Sequence, residues 1–207
     1  MMIGMPMKKA TNRKAQRKQE IWDIAGKLFA KKGYERTTTR NISKAIGVSN
    51  GGLYYYCGSK ESLLFEILDK ILSSGLDAIT KIEKSDKSLK EKLAAIINWY
   101  TRYYALDINN IKLLGDQQKH CVSSRYKQKL IKKQRDYLKV LVKILEGLKE
   151  QGEMTDIDPT VAAFAFFGMV HWIYRWYNPN GKVKPDQLAE IYVRIFTKGI
   201  FSGRAKS

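Results

Sequence analysis

Cysteine is almost absent from this chain of 207 residues: Cys57 and Cys121 are the whole complement. Two thiols that far apart offer neither a disulfide framework nor a metal-ligand spacing. They read as free thiols in a reducing cytosol, with redox sensing through Cys57 as the minor alternative. Histidine is equally scarce, at His120 and His171. No nucleophile–base pairing, phosphate loop or metal-binding cluster is visible, so an enzyme is not expected and no cofactor or metal is required. Long apolar runs are missing as well. The opening MMIGMPMKKATNRK lacks the apolar core of a signal peptide. The most apolar later run, residues 161–174, falls short of the roughly 20 residues that a membrane span needs. A cytoplasmic protein without a membrane partner is expected.

Acidic residues are also under-represented. Against 38 Lys+Arg stand 20 Asp+Glu, a net charge of +18 with a pI near 9.8. Such a balance favours an anionic partner, whether nucleic acid, acidic lipid or a phosphorylated small molecule. Residues 1–75 hold 14 basic and 6 acidic residues, and the remainder holds 24 and 14. The excess is therefore spread over the chain. A hydrophobic share of 44% is that of an ordinary globular protein.

No stretch alternates as a strand and no internal repeat is visible; apolar residues recur at helical spacing throughout. After a flexible basic leader over residues 1–12, a helix is expected over 14–32, with Ile21, Ile24, Ala25, Leu28 and Phe29 on one face. Arg13, Lys14, Arg17 and Lys18 cluster at its start, either as a solvated end or as phosphate contacts. Further helices are expected over 60–82, 89–106 and 124–151, with a shorter segment over 109–121. Asp158-Pro159 opens a helix running to residue 177 by the cap-then-proline pattern. Asn178-Pro-Asn-Gly turns the chain, and a last helix starts at Pro185.

The organising stretch is residues 37–63, TTTRNISKAIGVSNGGLYYYCGSKESL. Thr38 can cap a short helix carrying Ile42, Ala45 and Ile46; Gly47-Val48 ends it, and Ser49 starts another. That second helix is about two turns long, yet holds Gly51, Gly52 and the consecutive Tyr54, Tyr55 and Tyr56. Two helix glycines cost roughly 1–2 kcal/mol relative to alanine, and a local rule broken in a patterned segment marks a functional surface. Helix, glycine turn and short helix describe a helix-turn-helix. Arg40 and Asn50 are of the type that donates to base edges in the major groove, while Ser49, Tyr55, Tyr56 and Lys60 suit phosphates.

Residues 15–65 resemble the DNA-binding domain of the TetR family of bacterial transcriptional regulators. The likeness runs through Ala25, Phe29, Gly33-Tyr34, Thr38-Thr39, Ile42, Gly47-Val48-Ser49, Gly51, Leu53-Tyr54, Ser59-Lys60-Glu61 and Leu63-Leu64. Cys57 departs from it, standing where the family usually has an aromatic residue. The resemblance implies an all-α chain: a three-helix DNA-binding domain over 13–60, then a helical effector-binding and dimerisation domain over 61–207. It places Thr38, Thr39, Arg40, Ser49, Asn50, Gly51, Tyr54, Tyr55, Tyr56 and Lys60 at a double-stranded, palindromic operator. It also implies a homodimer built through the final two helices, a repressor's role, and release by a small apolar effector.

The helix from Pro159 is apolar nearly all round and has to be buried on more than one side. Phe167, Val170 and Ile173, with Ile191 and Ile195, are the candidates for a four-helix dimer interface. Trp99, Tyr100, Tyr103, Tyr104, Phe166, Trp172 and Trp176 are candidates for lining an effector cavity; His171 and Arg175 are possible polar contacts there. Residues 168–181, GMVHWIYRWYNPNG, resemble a subgroup that responds to acyl-coenzyme A thioesters, which would give the basic residues 125–143 a phosphate partner. An activator on the same fold, or a sequence-independent nucleic-acid or acidic-membrane binder resting on charge alone, remain the alternatives.

Overall fold

The computed structural model describes residues 6–121 and 123–200, with side chains from residue 13, and contains no β-strand among them. Helix α1 spans Pro6–Lys32 and ends at Gly33, whose φ of 84° is left-handed. It starts earlier than the periodicity predicts. Pro6 occupies a first-turn position where its missing N–H costs nothing, and Met-Lys-Lys-Ala after it are good helix formers. The second half of the expected leader is thus helical, while residues 1–5 lie outside the described residues.

Helix α2 (Thr39–Ile46) starts in a reciprocal capping box: the Thr38 hydroxyl accepts from the Asn41 N–H at 3.1 Å, and the Asn41 side chain accepts from the Thr38 N–H at 3.0 Å. Gly47 ends it at φ 74°. Helix α3 (Asn50–Cys57) is capped by Ser49, whose hydroxyl accepts from the Gly52 N–H at 3.0 Å. Ile21, Ala25 and Phe29 of α1 close a small core with Ile42 of α2 and Leu53 of α3, all five fully buried.

Helix α4 (Lys60–Glu83), capped by Ser59, carries the chain out of this unit without a break. Helix α5 (Leu89–Leu106) follows a second capping box, Ser88 with Glu91. Helix α6 (Ile108–Gln117) tightens into a 3₁₀ turn over Gln118–His120. Helix α7 (Ser124–Glu150) returns along α4. Helix α8 (Pro159–His171) is capped by Asp158 as its sequence predicts, but it does not reach residue 177. The chain breaks at Trp172 and resumes as the single turn α9 (Ile173–Trp176), tightened by an i→i+3 bond from the Arg175 N–H to the Trp172 carbonyl at 3.0 Å. Tyr174 anchors that turn by donating to Asp116 of α6 at 3.0 Å. Helix α10 (Pro185–Ile200) packs along α5 and touches α8 through Phe166 and Phe196, ring centroids 5.7 Å apart.

Candidate nucleic-acid interface and effector cavity

The turn between α2 and α3 is fixed by more than its caps. The buried Ser43 hydroxyl donates to Asn50 Oδ1 at 2.9 Å, so the Asn50 carbonyl locks the two helices and only its amide N–H groups remain to read a base. The two α3 glycines differ in their reasons. A Cβ on Gly52 would press on the capping Ser49 hydroxyl at 3.3 Å, whereas one on Gly51 would find nothing nearer than 4.0 Å. Gly51 therefore has no internal packing reason, which fits a surface that a second backbone approaches closely.

Around it, Tyr54 and Tyr55 are 47% and 70% exposed, and Thr38, Arg40 and Ser49 are exposed as well. Thr39 is half-buried; so is Tyr56, which packs edge-on against Tyr55. Lys14 of α1 joins this face, donating to the Tyr55 hydroxyl at 3.3 Å with its ammonium 4.8 Å from the ring centroid. Its cluster neighbours do other work. Arg17 donates to the Ile46 carbonyl at 2.8 Å, satisfying the end of α2, and Lys18 pairs with Glu66 of α4 at 2.9 Å. Neither a solvated end nor a phosphate contact describes those two.

Lys60 opens α4 half-buried, its ammonium 4.1 Å from the Tyr34 ring centroid, a cation–π contact. Tyr34 also stacks on His120 at 4.9 Å, and its N–H donates to the Gln117 side chain at 3.0 Å. His120 lies 3.0 Å from Glu35, and Glu61 accepts from the Ser123 N–H at 2.8 Å. The end of α6 and the loop after it thus grip the turn before α2 and the head of α4. Cys57 is buried inside the three-helix unit, donating to the Leu53 carbonyl at 3.2 Å; burial, and secondarily Glu66, push its thiol up to about 11. A thiol so far from ionisation is a poor redox sensor.

In the second unit a cavity of about 670 Å³ opens between α4, α5, α6, α7 and α8. That volume lies within the usual range for small-molecule sites. Leu72, Ile111, Leu114, Leu138 and Phe167 give it apolar walls, and Tyr100, Tyr104, Tyr137 and His171 supply polar atoms. Tyr100 and Tyr104 share a hydrogen bond at 3.3 Å, and Tyr137 donates to the Leu72 carbonyl at 3.0 Å. Desolvation raises all three phenols, with the neighbouring tyrosines adding to it at Tyr100 and Tyr137, so each stays a neutral donor. His171 lines the cavity and is exposed at its rim, with the rings of Tyr104 and Phe167 each 5.5 Å from its own. Desolvation lowers its imidazole to about 4, leaving it neutral at physiological pH. Gln118, Gln134 and Arg135 also line the cavity, as do Phe164, Gly168 and Trp172.

The family of bacterial regulatory proteins typified by the tetracycline repressor matches residues 21–67, and the tetracycline-repressor-like C-terminal domain matches residues 86–200. The chain is 33% identical to the transcriptional repressor KstR2 of Rhodococcus jostii (strain RHA1) over 93% of its own length and 95% of that protein's. It belongs to the TetR family. Among solved structures, KstR2 of Mycobacterium tuberculosis superposes with a TM-score of 0.83 at 23% identity, over 90% of this chain and 96% of that one. AibR, solved in complex with isovaleryl coenzyme A and operator DNA, superposes with a TM-score of 0.74 at 26% identity, over 86% of this chain and 97% of that one. This chain is therefore a DNA-binding transcriptional regulator of the TetR family.

The expected cavity residues divide. Tyr100, Tyr104 and Trp172 line the cavity. Trp99 does not: it stacks on Tyr103 at 5.0 Å, and both sit outside the lining. Phe166 is fully buried in the core against Phe196, and Trp176 is 53% exposed on α9, away from the cavity. Among the interface candidates, Val170 and Ile173 are fully buried within their own chain and have no surface left for a second subunit. Phe167 faces the cavity instead. Ile191 is half-buried, and Ile195 is 55% exposed. The outward face of α8 is rotated from the expected one and carries Val161, Phe164, Gly168 and Trp172. On a helix apolar all round, the pattern cannot say which side faces out. Leu72 and Tyr137 entered the cavity unforeseen, because helices distant in sequence bring them there.

Proposed function

We propose that this TetR-family regulator is a repressor that reads a two-fold operator as a homodimer in the cytoplasm. A small apolar group, in this reading the acyl chain of a coenzyme A thioester, fills the cavity and releases it. The observation that carries the reading is the course of α6. Ile111, Leu114 and Gln118 border the cavity, and within three residues Gln117 and His120 hold Tyr34 beside Lys60. A ligand that displaces α6 therefore acts on the turn before α2 and on the head of α4.

Two features support the ligand class: the apolar walls, and Arg135 and Gln134 on the basic helix α7, which suit an anionic head group. AibR, solved in complex with isovaleryl coenzyme A, points the same way. Dimerisation is supported by arithmetic. One eight-residue recognition helix reads few base pairs, and a two-fold pair doubles the site. Val161, Phe164, Trp172 and Ile195, each more than half exposed, mark the face that a second copy would cover.

Release is a population shift, so the effector has to bind the DNA-incompetent state more tightly than the DNA-competent one. Native mass spectrometry of the purified protein for a retained ligand, followed by a gel shift on its own promoter region with and without that ligand, tests the reading. A ligand that binds tightly and leaves operator affinity unaltered refutes it.

A further inference from the structure

Lys27 and Lys31 of α1 and Lys112 of α6, with Ala30 and Asn109, line a groove of about 370 Å³ at the joint between the DNA-binding unit and the second unit. All three lysines are exposed, and no Asp or Glu belongs to the lining. None of the three takes part in an ion pair among the described residues. The acidic residues next to them in sequence are engaged elsewhere: Asp23 accepts from Gln19 at 2.7 Å, and Asp107 accepts from Asn110 at 2.6 Å. We propose that this groove binds a small polyanion of the di- or triphosphate class, at a site separate from the effector cavity, and that the bound anion ties α6 to α1. The proposal does not depend on what fills the cavity.

The charge in the groove has no internal compensation. Lysines four residues apart on one helix face repel each other, and Lys112 adds a third like charge from the facing helix. Lys31, in the last turn of α1, suits the negative end of that helix. Lys27 lies a turn earlier, and Lys112 lies in the N-terminal half of α6, so neither has that support. Ala30 is the one apolar side chain in the lining, which leaves little for an acyl chain or an aromatic base to bury against. Lysine binds phosphate as a point charge, and three of them exceed what a single monoanion neutralises. The volume suits a small ligand. Duplex DNA is the less suitable occupant, because Lys14 marks the operator-facing end of α1 and Lys27 follows it by roughly 20 Å along the helix. The two helices already touch here: a Cβ on Gly26 would lie 3.8 Å from Asn110 Oδ1 and 3.9 Å from Leu113. An anion held from both sides adds a tie at the start of α6, the helix whose far end holds Tyr34 through Gln117.

Sodium pyrophosphate is the probe, titrated calorimetrically at about 0.15 M salt, where attraction between exposed charges is screened beyond about 8 Å. Three proteins are compared: wild type, the triple variant Lys27→Gln/Lys31→Gln/Lys112→Gln, and a charge-matched control, Lys81→Gln/Lys84→Gln/Lys87→Gln. The control lysines are exposed and share their stretch of chain with Glu83 and Asp86. Wild type and control should bind pyrophosphate alike, and the groove variant at least about tenfold more weakly. Equal weakening in both variants reduces the effect to net charge and overturns the site, as does a wild type that binds nothing at millimolar pyrophosphate. Saturating pyrophosphate should also slow amide hydrogen exchange in α6 at least about threefold in wild type and not in the groove variant. Binding with unchanged exchange overturns the tie between the helices. Finally, the salt slope for a random-sequence duplex should be the same in wild type and groove variant. A slope smaller by about two to three in the variant assigns these lysines to DNA phosphates and overturns the small-anion site.

Discussion

Gly75 sits mid-way along α4, where a Cβ would stand 1.8 Å from the Tyr137 hydroxyl and 3.3 Å from the Trp99 ring. Ordinary contact begins near 3.4 Å, so Gly75→Ala forces the phenol to retreat by about 1.6 Å. The ring packs edge-on against Tyr100 at 5.6 Å and its hydroxyl is held by the Leu72 carbonyl, so retreat toward the cavity breaks both contacts. Overpacking of this kind costs about 1–3 kcal/mol. Losing the Tyr137 bond to the Leu72 carbonyl adds about 1 kcal/mol, and the better helix propensity of alanine returns about 1 kcal/mol. A net loss of about 1–3 kcal/mol should lower the unfolding midpoint by roughly 3–10 °C in a chain of this size. Thermal unfolding followed by circular dichroism measures it. In a Tyr137→Phe background the hydroxyl is gone and the nearest ring atom is 3.0 Å away, so Gly75→Ala should cost at least about 1 kcal/mol less there. A Gly75→Ala protein as stable as wild type would show that propensity alone governs the site and refute the close approach.

Other expectations follow from the same contacts. Lys60→Ala should weaken binding to any duplex and reduce the slope of log affinity against log salt by about one, read by fluorescence anisotropy. Arg17→Ala should leave that slope unchanged but lower thermal stability, since Arg17 is spent on the Ile46 carbonyl. Thr38→Ala removes half of the α2 capping box and should cost about 1 kcal/mol in chemical denaturation. His171 is held neutral with its pKa lowered from 6.5 to about 4, so the unfolded chain binds the extra proton between those values. Its contribution to stability is complete above about pH 6.5 and is lost as pH falls toward 4; because the ring is exposed at the cavity rim the effect is small, and His171→Gln should flatten that part of the profile.

The elements that sequence placed well are those with their own local chemistry. Ser49, Ser59, Ser88 and Asp158 each accept a backbone N–H at the start of a helix, as their positions demand. The helix-turn-helix was legible for that reason and because its glycines and tyrosines broke the local pattern. The second unit was harder to read. Nothing within residues 159–177 signals the break at Trp172, which depends on Tyr174 reaching Asp116, 58 residues away in sequence. The cavity wall was half legible, because Tyr100 and Tyr104 lie on the buried face of α5 while Trp99, adjacent to Tyr100, turns away. The outward face of α8 was not legible at all, for an evenly apolar helix carries no directional signal.

The positive charge outside the DNA-binding unit has a partly structural explanation. Lys133 of α7 reaches Asp69 at 2.5 Å and also contacts Ser73, and Lys143 reaches Glu83 at 2.6 Å. Tyr137, between them, bonds the Leu72 carbonyl. These are three successive holds along one side of α4, the helix that begins at Lys60 beside the operator-facing surface. Exposed ion pairs contribute little to stability, and Lys143 is largely exposed, so the holds are not equal. Lys133 and Tyr137 are the more buried and fix the position of α4 at mid-length. Tyr137 also lines the cavity. A ligand that moves this phenol therefore loosens α4 at its best-fixed point, independently of the grip that α6 exerts at its head. Removing only the hydroxyl, as in Tyr137→Phe, should weaken the response of operator affinity to effector more than it weakens operator binding itself. Gel shifts with and without effector read that difference, and an unchanged response would confine the coupling to α6.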